Sequence, residues 1–176
     1  MSTMPTRILV CSILFAALGS AQPPPNLPAQ REAMKKLAFL AGKWSGDATT
    51  RRGQNETVKV KQTEEVQFKL GGLVLLIEGT GRNPDTGDVM FNALATIAYD
   101  EAAKVYHFRA YNDGRYVDTE LKVPENGFEW GFKAGPADVR FVMRLNDKGE
   151  WVETGDVKFG DNPPQRTFEM TLRKQT

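Results

Sequence analysis

The sequence predicts an all-β fold: an antiparallel up-and-down barrel of about ten strands with one short N-terminal helix. Three observations predict it. From Lys43 onward, turn-forming clusters recur at short intervals: RRGQN, LGGL, NPDTG, YDEAAK, NDGR, PENG, AGPAD, NDKG and GDNPP. Between them the chain alternates apolar and polar residues, and no second helical period interrupts. In three hairpins, moreover, the register set by the turn gathers the apolar residues on one face. Strands with one apolar face each bury it most economically by closing on themselves, which also removes the exposed edges of a large sheet.

Taken in order, residues 1–21 read as a secretory signal peptide. Arg7 is its positive start, Ile8 to Leu18 its apolar stretch and Gly19-Ser20-Ala21 its cleavage region. The stretch is too short to span a bilayer, so no transmembrane segment is expected in the mature chain. A periplasmic or secreted location follows. Cleavage near Ala21 removes the one cysteine, Cys11, and with it disulfides and thiol chemistry. It also removes Arg7, which balances a full chain carrying 23 Lys+Arg against 22 Asp+Glu. A nucleic-acid partner normally needs a basic face, and none is visible.

Residues 22–28 form a proline-rich spacer and residues 29–176 a single domain. Ala29 to Ala41 is the helix. Ala33, Met34, Leu37, Leu40 and Ala41 share one side, Pro28 suits the first turn and Gly42 the C-terminal cap.

The hairpins follow. In HFRAYNDGRYVDTEL an Asp113-Gly114 turn pairs Ala110 with Val117, Phe108 with Thr119 and Tyr106 with Leu121, while Arg109 faces Asp118 and His107 faces Glu120 on the other side. In RFVMRLNDKGEWVETGDV a type I turn with a bulge at Gly149 sets Leu145 against Trp151, Met143 against Glu153 and Phe141 against Gly155, with Arg140 facing Asp156 outside. In EEVQFKLGGLVLLIEGTG a Gly71-Gly72 turn sets Phe68 against Leu75, Val66 against Ile77, Glu64 against Gly79 and Gln62 against Gly81. The outer face of this third hairpin opposes Glu65 to Glu78, an unfavourable pair that argues against its register.

The N-terminal helix leading into Gly42-Lys43-Trp44, with Arg173 near the end of the last strand, resembles the lipocalin or calycin pattern. That resemblance implies a helix plugging one barrel end and a structural clasp in which Arg173 stacks on Trp44. More closely, Leu37 to Gly46, the Gly-Gly hairpin and the Tyr99-Asp100 turn are similar to secreted bacterial domains of unknown function related to ten-stranded nitrobindins. Nitrobindin-like proteins bind haem through a histidine late in the chain. Here none follows His107, so no cofactor is expected.

Strand parity supplies the candidate ligand-binding residues. Gln62, Glu64 and Glu153 fall among apolar neighbours, where an unpartnered charge costs several kcal/mol or takes up a proton. Arg166 shares the apolar parity of Phe168, Met170 and Leu172 and is the expected partner of Glu153. Tyr99, Trp130 and Met143 complete the set, as lumen wall or as packed core. His107 is the only histidine, which rules out a site with several imidazoles, and its register turns it outward. No phosphate-binding glycine loop, nucleophile elbow or calcium loop is present.

The expected function is therefore an extracytoplasmic barrel holding a small apolar or amphipathic ligand, with no catalysis implied. The alternative is a structural or interaction domain of the cell envelope with a filled core. An enzyme would require Glu64 and Glu153 to converge on one substrate as acid and base. An outer-membrane barrel is disfavoured, because Glu64 and Glu153 would face lipid and no aromatic girdle is visible.

Overall fold

The computed structural model describes residues 24–53 and 56–176. The expected signal peptide lies outside the described residues, as do Gln22 and Pro23 of the spacer and Gln54-Asn55 of the first turn. Helix α1 spans Leu27–Met34 and runs on as a 3-10 turn over Lys35–Leu40. It begins two residues earlier than expected because Asn26 caps it: the Asn26 side chain accepts from the Ala29 N–H at 3.1 Å, and Pro28 sits in the first turn. No helix among the described residues is long and apolar enough to cross a membrane.

Ten strands follow: β1 (Gly42–Arg52), β2 (Glu56–Lys69), β3 (Val74–Arg82), β4 (Val89–Asp100), β5 (Val105–Asn112), β6 (Arg115–Leu121), β7 (Gly127–Ala134), β8 (Ala137–Leu145), β9 (Trp151–Phe159) and β10 (Gln165–Lys174). Each pairs antiparallel with its sequence neighbour except β6 and β7, and β1 pairs with β10. The sheet therefore curls into a nearly closed barrel. At the seam, Lys122 and Glu129 exchange both backbone hydrogen bonds at 2.8 Å, and Thr119 Oγ1 donates to the Gly131 carbonyl at 2.9 Å. A side chain here replaces the ladder that β6 and β7 lack.

All three hairpins hold the registers that the sequence implies. Asp113 and Gly114 both adopt positive φ, as a two-residue hairpin turn of this hand requires. The Glu65–Glu78 opposition is real, and Lys43 on β1 offsets it with an amine 3.6 Å from Glu65.

The helix plugs the end of the barrel where β1 starts and β10 finishes. Met34, Leu37 and Leu40 from the plug and Leu75, Ile97, Met143 and Leu172 from the strands have no exposed surface. Burying each such side chain contributes about 1.5–3 kcal/mol. The helix leaves carbonyls without intrahelical partners, and the barrel supplies donors for two carbonyls along this segment: Tyr106 Oη donates to Ala33 O at 2.8 Å and Trp44 Nε1 to Leu40 O at 2.7 Å. Arg31 Nε donates to Gly71 O at 2.8 Å and ties the helix to the β2–β3 turn.

Two expectations are corrected at β10. Its pairing with β9 shifts between Arg166 and Phe168, so Thr167 is an extra residue and parity inverts before it. Arg166 therefore points outward, where its guanidinium meets Asp156 at 2.6 Å and Glu169 at 3.3 Å, and it neither lines the lumen nor partners Glu153. Arg173 is not the clasp either. Leu172 faces the core, so Arg173 turns to solvent against Glu150 at 2.7 Å, and Lys174 lies over the Trp44 ring at 5.2 Å.

Candidate functional site

Above the plug the interior changes character. Trp44 and Trp151 meet edge to face at 5.7 Å and form the ceiling of the dry end. Trp151 is 2% exposed, yet its indole needs an acceptor, and Nε1 donates to Glu153 Oε2 at 3.0 Å. Glu153 on β9 is 8% exposed and stands between Met143 of β8 and Met170 of β10. From β2, Gln62 (4% exposed) turns inward with Glu64, and its Nε2 donates to Glu64 Oε1 at 2.7 Å. The period-2 side-chain direction of β2 and β9 thus delivers two carboxyls and an amide to one interior layer.

Glycines on the facing strands make room for this layer. A methyl group on Gly79 would lie 2.7 Å from both Glu64 carboxylate oxygens, and one on Gly81 would lie 2.8 Å from Gln62 Oε1. Gly155 does the same for Phe141, whose ring would meet a methyl at 2.6 Å.

Loss of bulk water is the main cause of the site's unusual acidity. It pushes Glu64 up to about 8, against the hydrogen bond from Gln62 and with help from the charge of Glu153. It pushes Glu153 up to about 7, against the hydrogen bonds of Trp151 and Trp130. Glu64 keeps some accessible surface while lying deep enough to lose its hydration, as a residue facing an interior space does.

Hydrogen bonding leaves the layer rich in acceptors. Among the described residues no donor reaches Gln62 Oε1 or Glu64 Oε2. No fully enclosed side-chain polar atom among them lacks a partner, so these two oxygens border accessible space. Among the described side chains no lysine or arginine faces this layer. Arg115 stands at the mouth end of β6, and Lys174 sits at the plugged end, where it donates to Phe39 O.

Toward the mouth, aromatic rings line the wall. Trp130 stacks on Phe141 at 4.4 Å with an interplanar angle of 11°, and Phe132 continues the stack at 5.9 Å. Phe108 approaches Trp130 at 4.6 Å, and Phe168 meets Phe141 edge to face at 5.9 Å. Trp130, Phe132, Phe141 and Phe168 all face inward and all keep accessible surface. Two concavities, of about 520 Å³ beside α1 and about 560 Å³ against the β5–β6 hairpin, lie on the outside of the barrel and contain neither carboxyl.

Of the residues singled out in the sequence, Gln62, Glu64, Glu153 and Trp130 come together here. Met143 is part of the dry packing beside Glu153. Tyr99 lies at the seam with the helix, 4.8 Å from Tyr106, and away from the carboxyls. His107 points outward, 3.8 Å from Asp100. The sequence reading missed the Trp151 hydrogen bond to Glu153 and the role of Phe168. The signal for the first is a Trp-x-Glu spacing, which puts both side chains on one face of a strand.

Fold and interior together define a ten-stranded antiparallel barrel domain, plugged at one end and lined at mid-height by acids and aromatics. The chain belongs to the DUF1579 family, whose model, described as a protein of unknown function, matches residues 29–174. Among solved structures it is similar to Rv2717c from M. tuberculosis, with a TM-score of 0.62 at 12% identity, covering 82% of this chain and 98% of that one. Identity that low establishes a shared fold and nothing finer. No curated protein matches the chain.

Proposed function

We propose that the protein is an extracytoplasmic carrier or receptor that holds a small apolar or amphipathic molecule in the open half of its barrel, without catalysis. One observation carries the reading: inward-facing aromatic rings with accessible surface stand over a layer of hydrogen-bond acceptors that lack donors. Ligand pockets combine an apolar wall with a few placed polar groups in this way. The leader sequence of residues 1–21 supports the location.

Titration with Nile red, a neutral solvatochromic dye, tests the binding. Saturable enhancement at one dye per chain is expected, weakened about tenfold or more by Trp130→Ala, since stacking on a large ring is a major source of affinity. The control Tyr116→Ala, on the outer face, should bind as the parent does. A parent protein that never binds the dye would favour the filled-core interaction domain. N-terminal sequencing of the protein recovered from periplasm should begin near Gln22. An intact Met1 in the cytoplasmic fraction would contradict the location.

A further inference from the structure

We propose that the guest is an organic cation, a flat or aliphatic apolar body carrying an ammonium group that is held between Glu64, Gln62 and Glu153 beneath the Trp130–Phe141 stack. This rests on the reading of the barrel as a lumen that binds a small molecule, and it names the class.

The layer contains acceptors in excess. Gln62 spends one donor on Glu64 Oε1, after which Gln62 Oε1 and Glu64 Oε2 have no donor among the described residues. A carboxylate guest would add two more acceptors to a layer that no lysine or arginine among the described side chains faces, and above about pH 8, where both acids are ionised, it would face two like charges. An ammonium brings up to three donors and the missing positive charge, in charge-assisted bonds about twice as strong as neutral ones. The wall above it suits the rest of the guest. Trp130 and Phe141 spend their facing sides on each other, and Phe108 and Phe132 also approach Trp130, so the wall offers its remaining accessible surface to the apolar body that carries the ammonium. Gly79 and Gly81 leave the room that the Glu64 carboxylate and the Gln62 amide occupy, which lets both acceptors stand in the interior layer.

The binding is coupled to protons. Glu64 faces Glu153 across the interior, with Trp44 from β1 and Gly79 from β3 beside it. Glu153 faces Met143, Met170, Trp151 and Trp130. Among the described residues no other titratable group adjoins either carboxyl. Because burial holds both in the protonated form up to near neutral pH, an ammonium must displace a proton, and its affinity rises from pH 6 to pH 8.

Three ligands with the same ring test the proposal by calorimetry: 1-naphthylmethylammonium, 1-naphthylmethanol and 1-naphthoate. The ammonium should bind about tenfold or more tighter than the alcohol at pH 8, with the carboxylate weakest. That preference should vanish in Glu64→Gln and shrink in Glu153→Gln. If the carboxylate binds as tightly as the ammonium, the cation proposal fails while the lumen reading stands. If the preference survives both substitutions, the cation sits elsewhere and the proposal fails. If nothing binds, Nile red included, both readings fail together. Should either variant not fold, the ranking of the three ligands on the parent protein still decides.

Discussion

The two halves of the barrel are built from the same alternation and come out differently. At the plugged end the helix and the inward strand residues share one apolar cluster, and Leu37, Leu40, Leu75, Ile97, Met143 and Leu172 have no exposed surface. At the open end the strands run on without a plug, and Phe91 and Phe159 at the rim are 40% and 50% exposed. Between them lies the acid layer, held from below by the Trp151 hydrogen bond and shielded from above by the aromatic stack. The contrast separates two uses of inward-facing side chains: one half is stabilised by its packing, while the other keeps accessible rings and unanswered acceptors.

Core truncations should show the largest difference between the halves. Leu37→Ala in the plug should cost about 2–5 kcal/mol in urea unfolding, against about 1 kcal/mol for Phe132→Ala toward the mouth, where less area is buried. Equal losses would break the contrast. Next comes pH. Both interior carboxyls are held above their ordinary value of 4.5, so the folded chain binds more protons than the unfolded one as pH rises toward 8. Stability is greatest at low pH in this window and falls as pH climbs through about 7 and 8. The melting temperature should drop by roughly 5 °C or more from pH 5 to pH 8.5, and the double variant Glu64→Gln/Glu153→Gln should flatten that slope.

A smaller effect is expected at the glycine floor. Gly79→Ala forces a methyl against the Glu64 carboxylate and should cost about 1–3 kcal/mol. In a Glu64→Ala background most of that cost should disappear, giving a measurable coupling in a double-mutant cycle. Arg166→Ala should do least, within about 0.5 kcal/mol, because its ion pairs lie on the wet outer face. A large loss there would mean that Arg166 reaches the interior after all.

Much of this was legible in the sequence because turns fix registers. The Gly71-Gly72 and Gly149 turns located the partners of Glu64, Gln62 and Glu153 residue by residue, including the glycines opposite the first two. Parity failed at one place, the single extra residue at Thr167. A threonine fits either face of a strand, so neither spacing nor polarity announces a bulge there. The error at Arg173 has another source: the resemblance favoured an arginine over Trp44, although the alternation from Phe168 through Leu172 already turned residue 173 outward and residue 174 inward. The acid layer was visible as residues and invisible as chemistry. Whether a buried carboxyl keeps accessible space depends on how far the helix plug reaches, and that is a property of the assembled barrel.

The most direct measurement is a carbon-13 NMR titration of the glutamate side-chain carboxyls in ligand-free protein, assigned through Glu64→Gln and Glu153→Gln. Two carboxyls should titrate near 8 and 7, while Glu129 and Glu150, each held by arginine, should titrate below the ordinary carboxylate range. If instead both protons leave near 4.5, the carboxyls stand in water and the barrel has no acid layer for a guest to meet.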